Sequence, residues 1–258
     1  MLASFFSFSS FSDDNYDTNM DSINLDVNQW ETTQFVIFGS IILIGLEILS
    51  HLVPFLFGHM DKIEIQGLHL DKLESIDQIY ITINKLLTVM FVYHLILVCS
   101  NSDTIYLKHD EVTVYNTIGS LCGFYFVYDF FYMNFHRFLH QDFIYPYIHK
   151  HHHRQKAPSR GNLDAINVHP FEFVVGEYLH LFTIYLIPCH IYTVAFFIIL
   201  GGILASLNHT RFDVQIPGFF SVKVHDVHHV KFNYNYAQYT MYWDQLFGTY
   251  KDWVSKTA

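Results

Sequence analysis

Long apolar runs broken by single ionisable residues dominate the pattern of this chain. Residues 33–57 form the first run and carry Glu47 and His51. Residues 79–99 form a second with Lys85, and residues 113–135 a third with Asp129 near its end. Residues 171–207 form a longer run interrupted at Pro188. About 20 apolar residues cross a bilayer, and proline ends or kinks a helix. The last run therefore predicts two packed helices, 171–187 and 190–207, which either span twice or dip in and return as a hairpin. The pattern as a whole predicts an all-α fold, a polytopic membrane helical bundle. Its expected parts are a disordered tail over 1–31, transmembrane helices within 32–128, and a C-terminal unit over 129–258 that includes the membrane hairpin 171–207.

Polar residues inside such runs need a reason. Glu47, His51, Lys85 and His94 predict interhelical hydrogen bonds or snorkelling groups. Glu177 and His180 lie on a helix that starts beside the His-rich connections, where they could cap or line a site. The expected route for a lipid is between the spans 113–135 and 171–207, whose walls are rich in Phe and Tyr.

Composition sharpens the class. The 258 residues are 51% hydrophobic, 18% aromatic and only 15% charged, whereas soluble domains are about a quarter charged. The formal net charge is −10, which argues against nucleic acid as a partner because phosphate binding needs a basic face. Residues 1–31 hold six acids and no base, and they lack the positive start of a secretory signal. Ten of the fourteen Lys and Arg follow residue 136, among them Lys150, Arg154, Lys156 and Arg160. Cytoplasmic loops carry the excess of basic residues, so the side bearing these connections is expected to be cytosolic. Cys99, Cys122 and Cys189 form no CxxC pair and are expected to be packed thiols.

Those connections carry the candidate chemistry. His136 and His140 form H-R-F-L-H, His149, His152 and His153 come from H-K-H-H-H, and His225, His228 and His229 form H-D-V-H-H. His169 and His209 stand between the second and third groups. Positions i, i+3 and i+4 of a helix share a face, so each group is expected to aim its rings at one point. Neutral imidazole ligates iron, copper and zinc, and ten rings are too many for one ion but suit two. A zinc protease would need H-E-x-x-H, and no His-Glu pair occurs. A structural zinc site takes four ligands, commonly with Cys. Haem between membrane helices would use single histidines facing across the bilayer, and a metal transporter would place ligands inside the spans. What remains is a two-metal site with positions open for a small oxidant, or a membrane protein that binds metal without catalysis.

The stretches D-F-F-Y-M-N-F-H-R-F-L-H, Y-P-Y-I-H-K-H-H-H-R, and H-D-V-H-H-V-K-F-N-Y-N-Y-A-Q-Y followed by W-D-Q-L-F-G-T resemble the fatty acid hydroxylase superfamily. That group includes sterol desaturases, methylsterol monooxygenases and sterol hydroxylases. The resemblance runs from about Asp129 to Thr249. It implies a His-rich helical cap on the cytosolic side of the endoplasmic reticulum membrane, holding a dinuclear non-haem iron site. It also implies an enzyme that takes O2 and electrons from NAD(P)H through a b-type cytochrome and its reductase. The implied ligands are His136, His140, His149, His152, His153, His225, His228 and His229, with His169 and His209 as further ligands between the boxes. His151 would point off the shared face. Asp129, Asp226 and Asp244 are the candidate catalytic carboxylates, because a ligating histidine normally gives its other N–H to a carboxylate or carbonyl. The segment K-A-P-S-R-G-N-L-D-A-I-N-V-H-P-F-E is more like the sterol branch, so the implied reaction is hydroxylation or desaturation of a sterol-like lipid. A fatty-acyl or sphingolipid substrate is the alternative within the class. The family commonly has Gly shortly after the His209 position, where this chain has Arg211. Asn208-His209-Thr210 also reads as a glycosylation sequon, which a cytosolic loop would leave unmodified.

Overall fold

The computed structural model describes residue 27 and residues 30–255. The expected tail over 1–31 lies almost entirely outside the described residues. What is described is mostly helical, with two two-residue strand pairs.

Two helices are long and apolar enough to cross a membrane, α1 (Thr32–Phe57) and α2 (Ser75–Asn101). Residue 36, 44, 48 and 55 side chains of α1 (Val36, Ile44, Ile48, Phe55) are each more than half exposed, an apolar face that water would penalise. Lys85 of α2 pairs with Glu47 of α1, and His94 Nδ1 meets the Tyr178 hydroxyl at 2.5 Å. Three of the ionisable residues inside the apolar runs therefore make interhelical contacts, as their positions predict.

The third run departs from expectation. A π-helical turn over Tyr115–Gly119 leads into α3 (Ser120–Leu139). This helix buries Phe124, Tyr125, Tyr128, Asp129, Met133 and His136 along one stripe. It is not among the described helices long and apolar enough to cross a membrane, and it packs in the centre of the core. Cys122 is exposed on its outer face, while Cys99 and Cys189 are buried as expected.

The break at Pro188 falls where proline chemistry puts it. Helix α5 (Pro170–Leu186) ends two residues before it, and α6 (Ile191–Leu207) begins three residues after it. Each has 17 residues, about 25 Å long at 1.5 Å per residue, against a hydrocarbon core of about 30 Å. The turn between them is fastened at the end remote from the histidines. Strand β1 (Ile105–Tyr106) pairs in parallel with β2 (Cys189–His190), and Ser120 Oγ donates to Pro188 O at 2.6 Å. One hydrophobic core joins Val53 and Phe91 to Phe124, Ile184, Phe197 and Phe220. It crosses the expected boundary at residues 128/129.

The remaining elements form a cap. They are α4 (Asn162–Ala165), the β3 (Gln215–Ile216) and β4 (Phe220–Ser221) hairpin, α7 (Val222–Lys231) and α8 (Tyr242–Leu246). The connection between α1 and α2 is clasped to it. Lys156 N donates to Leu68 O at 3.0 Å, Leu70 N donates to Gln155 Oε1 at 2.9 Å, and Ile63 N donates to Arg211 O at 2.8 Å. Arg211 is 4% exposed and adopts φ 66°, a conformation that favours glycine. Its Nη1 donates to Asp226 Oδ1 at 2.7 Å and its Nη2 to Ile63 O at 2.6 Å. The guanidinium thus locks α7 to the α1–α2 connection. Breaking a buried ion pair by removing one partner costs about 3–5 kcal/mol. Arg211→Leu is therefore expected to lower the melting temperature of the detergent-solubilised protein, with most of the loss recovered in Arg211→Leu/Asp226→Leu.

Candidate metal centre

Nine of the ten candidate histidines meet in two groups. His136, His140, His149, His153 and His228 form one; His152, His209, His225 and His229 form the other. Within each group one ring nitrogen or more of every residue lies within 4.8 Å of the rest. The groups adjoin, since the His153 ring lies 5.0 Å from that of His229 and 5.6 Å from that of His152.

The boxes do not aim all their rings at one point. His225 and His229, at i and i+4 on α7, serve one group, while His228 between them turns to the other. His149 and His153 likewise stay together and His152 crosses over. Consecutive helical positions differ by about 100°, so neighbouring rings diverge while an i, i+4 pair stacks on one face. His136 and His140, at the end of α3, form the third such pair.

Hydrogen bonds at the far ring nitrogen set the tautomer of five rings. The Nδ1–H groups of His136, His228, His229 and His209 donate to the carbonyls of Tyr236 (2.8 Å), Tyr234 (2.7 Å), Gln155 (2.9 Å) and Ala205 (2.8 Å). His149 Nδ1–H donates to Glu172 Oε1 at 2.8 Å. In each of these rings Nε2 is left with a lone pair. His136 Nε2 and His149 Nε2 meet at 3.0 Å, lone pair against lone pair, which no hydrogen bond can join. His153 Nε2 touches both His149 Nε2 (2.9 Å) and His228 Nε2 (3.1 Å), and a single N–H could serve only one. His225 Nε2 stands in the same position between His209 Nε2 (3.3 Å) and His229 Nε2 (3.1 Å). The outer Nδ1 atoms of His153 and His225 are buried without a partner. Burial holds the rings of His149, His152, His153, His225, His228 and His229 well below their ordinary pKa. Neutral rings with converging lone pairs about 3 Å apart are the donor set of a divalent ion bound at about 2.1 Å.

His169 joins neither group. It is the N-cap of α5, where its Nδ1 accepts from Phe171 N at 3.2 Å, and its ring packs edge-on against Tyr80. Pro170 begins the helix there, and the residue that reaches the site is Glu172, one turn further on. Sequence reasoning passed over Glu172 although it closes the quoted N-V-H-P-F-E. The available signal was its place in the first turn of a helix beginning beside the histidines. His151 points away as expected, with Nε2 2.9 Å from Asn167 Oδ1 and 3.0 Å from Asp77 Oδ1.

None of the three candidate carboxylates holds an imidazole: two hold backbone and one holds a guanidinium. Asp129 accepts the amides of Gln238 (3.1 Å), Tyr239 (3.1 Å) and Thr240. Asp244 accepts those of Tyr236 and Ala237, both at 2.9 Å. Asp226 pairs with Arg211. The first two fix the loop after α7 whose carbonyls receive His136 and His228, so they position the rings at one remove. Asn235, at φ 57°, ties the same loop down, donating to Val224 O and Lys251 O. Asn208 and Thr210 are 3% and 4% exposed, which closes the sequon to modification in this fold.

The expected lipid route between α3 and the α5–α6 hairpin is filled by aromatic packing. Tyr128 lies 4.0 Å from His180 and Phe124 4.9 Å from Phe197, ring centre to ring centre. A groove of about 770 Å³ opens instead between α1 and α2, lined by Leu43, Glu47, His51, Phe55, Lys85 and Leu86 among others, and by none of the clustered histidines.

Comparison with known proteins accords with this site. The family model described as fatty acid hydroxylase matches residues 121–249, which contain both histidine groups. A Delta(7)-sterol 5(6)-desaturase of Leptosphaeria maculans is 32% identical over 117 residues, 45% of this chain and 32% of that protein. Methylsterol monooxygenase 1 of Rattus norvegicus is 30% identical over 141 residues, 52% of this chain and 47% of that protein. A putative Delta(7)-sterol-C5(6)-desaturase 2 of Arabidopsis thaliana is 26% identical over 116 residues, 44% of this chain and 42% of that protein. The matched stretch thus spans less than half the length of each of these relatives. No solved structure matches the chain. With half of its length covered by the family model, including every clustered histidine, the chain belongs to the fatty acid hydroxylase family.

Proposed function

We propose that this chain is an O2-dependent membrane oxidoreductase that hydroxylates or desaturates a lipid, with a sterol or sterol-like molecule as substrate. The observation that carries the reading is the convergence of nine imidazoles in two adjoining groups with lone pairs turned on one another. The sterol preference is supported by relatives named as sterol desaturases and a methylsterol monooxygenase.

The His136 group and the His152 group would each hold one iron ion. With O2 and two electrons, the pair supplies the oxidising power to break an unactivated C–H bond. The protein's part is orientation. The carbonyls of Tyr234, Tyr236, Gln155 and Ala205 fix ring tautomers, and Glu172 adds a buried carboxylate behind His149. Burial excludes water from the rings, and the clasp by the α1–α2 connection covers them. Residues 129–258 act as the catalytic unit, with 171–207 as a membrane hairpin, carried on transmembrane helices within 32–128. The histidines lie beside the C-terminal end of α1 and the N-terminal end of α2, and ten of fourteen cations follow residue 136. The bias of basic residues supports a site on the cytosolic face of a membrane, and in this reading that membrane is the endoplasmic reticulum, with electrons from NAD(P)H supplied through a b-type cytochrome and its reductase.

The reading is tested by iron analysis of the purified chain together with lipid mass spectrometry of cells with and without it. Two irons per chain and an oxygenated or desaturated sterol, both diminished in His152→Ala, are expected. Bound zinc that iron does not replace, with an unchanged lipid profile, would instead mark a non-catalytic metal-binding protein. Partners behind a ligating histidine contribute about 10–100-fold to metal affinity. Glu172→Gln is accordingly expected to weaken binding by that factor in a competition titration against a chelator.

A further inference from the structure

Three rings on one face of α3 lead away from the proposed centre. Tyr128, Tyr132 and His136 are spaced i, i+4, i+8 and so stack along the helix. The Tyr132 ring lies 5.4 Å from His136, and Tyr128 stacks on Tyr132 at 5.5 Å. Tyr128 in turn packs 5.2 Å from Tyr239 and 4.0 Å from His180. Tyr128, His180 and Tyr239 are all buried, at 2%, 8% and 4% exposure.

Only one tyrosine of this series has a base at its hydroxyl. His180 Nδ1–H donates to Gly176 O at 3.1 Å, which leaves Nε2 to accept the Tyr239 hydroxyl at 3.0 Å. The Tyr128 hydroxyl reaches only the Gly176 carbonyl, at 3.4 Å, and the Tyr125 hydroxyl beyond Tyr239 has no partner. A carbonyl cannot take a phenolic proton, whereas a neutral imidazole can. Gly201 keeps the arrangement open: a Cβ there would sit 2.8 Å from the Tyr239 hydroxyl oxygen.

We propose that Tyr239 and His180 form a redox-active pair that is oxidised by the metal centre through Tyr132 and Tyr128. The inference rests on the function proposed above. With O2 as oxidant and no substrate C–H bond in place, Tyr239 would give up one electron to the metal that the two histidine groups would hold. The phenolic O–H bond breaks, its proton moves to His180 Nε2, and a neutral tyrosyl radical beside an imidazolium results. A one-electron reductant later restores Tyr239, and the proton returns from His180. The pair thereby diverts oxidising power from the ligating histidines to one buried phenol.

The test uses the iron-loaded full-length chain in sterol-free detergent, chemically reduced, exposed to O2 and freeze-quenched. Electron paramagnetic resonance is expected to show a tyrosyl radical, narrowed when the protein is grown with ring-deuterated tyrosine. The signal is expected to be lost in Tyr239→Phe at unchanged iron content. His180→Gln and Gly201→Ala keep the phenol but remove or displace its proton acceptor, and both are expected to shorten the radical's lifetime. Iron content and O2 uptake are measured on the same samples. A chain that takes up no iron overturns the proposed function and this inference together. An iron-loaded chain that consumes O2 without a radical, or whose radical survives in Tyr239→Phe, overturns this inference alone. A lifetime unchanged in both His180→Gln and Gly201→Ala removes the pair's role as well.

Discussion

Imidazole lone pairs that face one another across about 3 Å repel unless a cation lies among them, and the cap is built around that constraint. His136 and His149 could avoid the clash by changing tautomer. Their outer N–H groups are already committed to Tyr236 O and to Glu172. The orientation is therefore set by the protein's own hydrogen bonds, in a burial that also keeps the rings neutral. The arrangement costs backbone strain as well. Phe232 and Asn235 adopt φ 54° and 57° in the loop that presents the carbonyls for His228 and His136. Such conformations cost about 1–3 kcal/mol each and persist only when over-determined. Asn235, Asp244 and Asp129 supply the determination, each through two or more hydrogen bonds to backbone.

Helical geometry explains how one motif serves two ions. Within H-x-x-H-H the outer pair at i, i+4 shares a face, and the inner histidine, one residue earlier, is turned about 100° away. α7 makes this division on a regular helix and the 149–153 segment makes it on turns that end in a 3-10 helix at His152–Arg154, so each contributes to both groups. Neither group is complete from one stretch of chain. The loop after α6 and the end of α3 must be docked on α7 before nine rings converge, and the core running from Val53 to Phe220 provides that docking.

The α1–α2 connection shows how far the site extends beyond the family match at 121–249. Its backbone hydrogen bonds to Gln155, Lys156 and Arg211, and Arg211 answers with a buried guanidinium on α7's Asp226. Arg211 adopts a left-handed backbone conformation, φ 66°, and its charge ties the cap to the connection between the first two helices. Glycine suits that conformation because it has no Cβ; Arg211 occupies it held by three acceptors.

The amino-acid sequence by itself determined the helices and the ligand-type residues. Apolar runs of sufficient length, Pro188 as a breaker, and histidines at i, i+4 are local patterns that need no partner to be read. It also carried the interhelical role of Glu47, Lys85 and His94, because an ionisable group in an apolar run must find a partner. Which histidines share an ion was not legible, since that depends on rotation about helix axes and on docking between segments more than 70 residues apart. For the same reason His169 read as a ligand while Glu172 went unnoticed: the start of α5 at Pro170 turns one outward and the other in. The third apolar run read as a span although α3 is the core helix, because burial by neighbouring helices and burial by lipid leave similar traces in composition. Only the tertiary structure decided that Asp129 and Asp244 hold backbone and Asp226 the Arg211 guanidinium, because a carboxylate's partner is set by what the folded chain brings within about 3 Å of it.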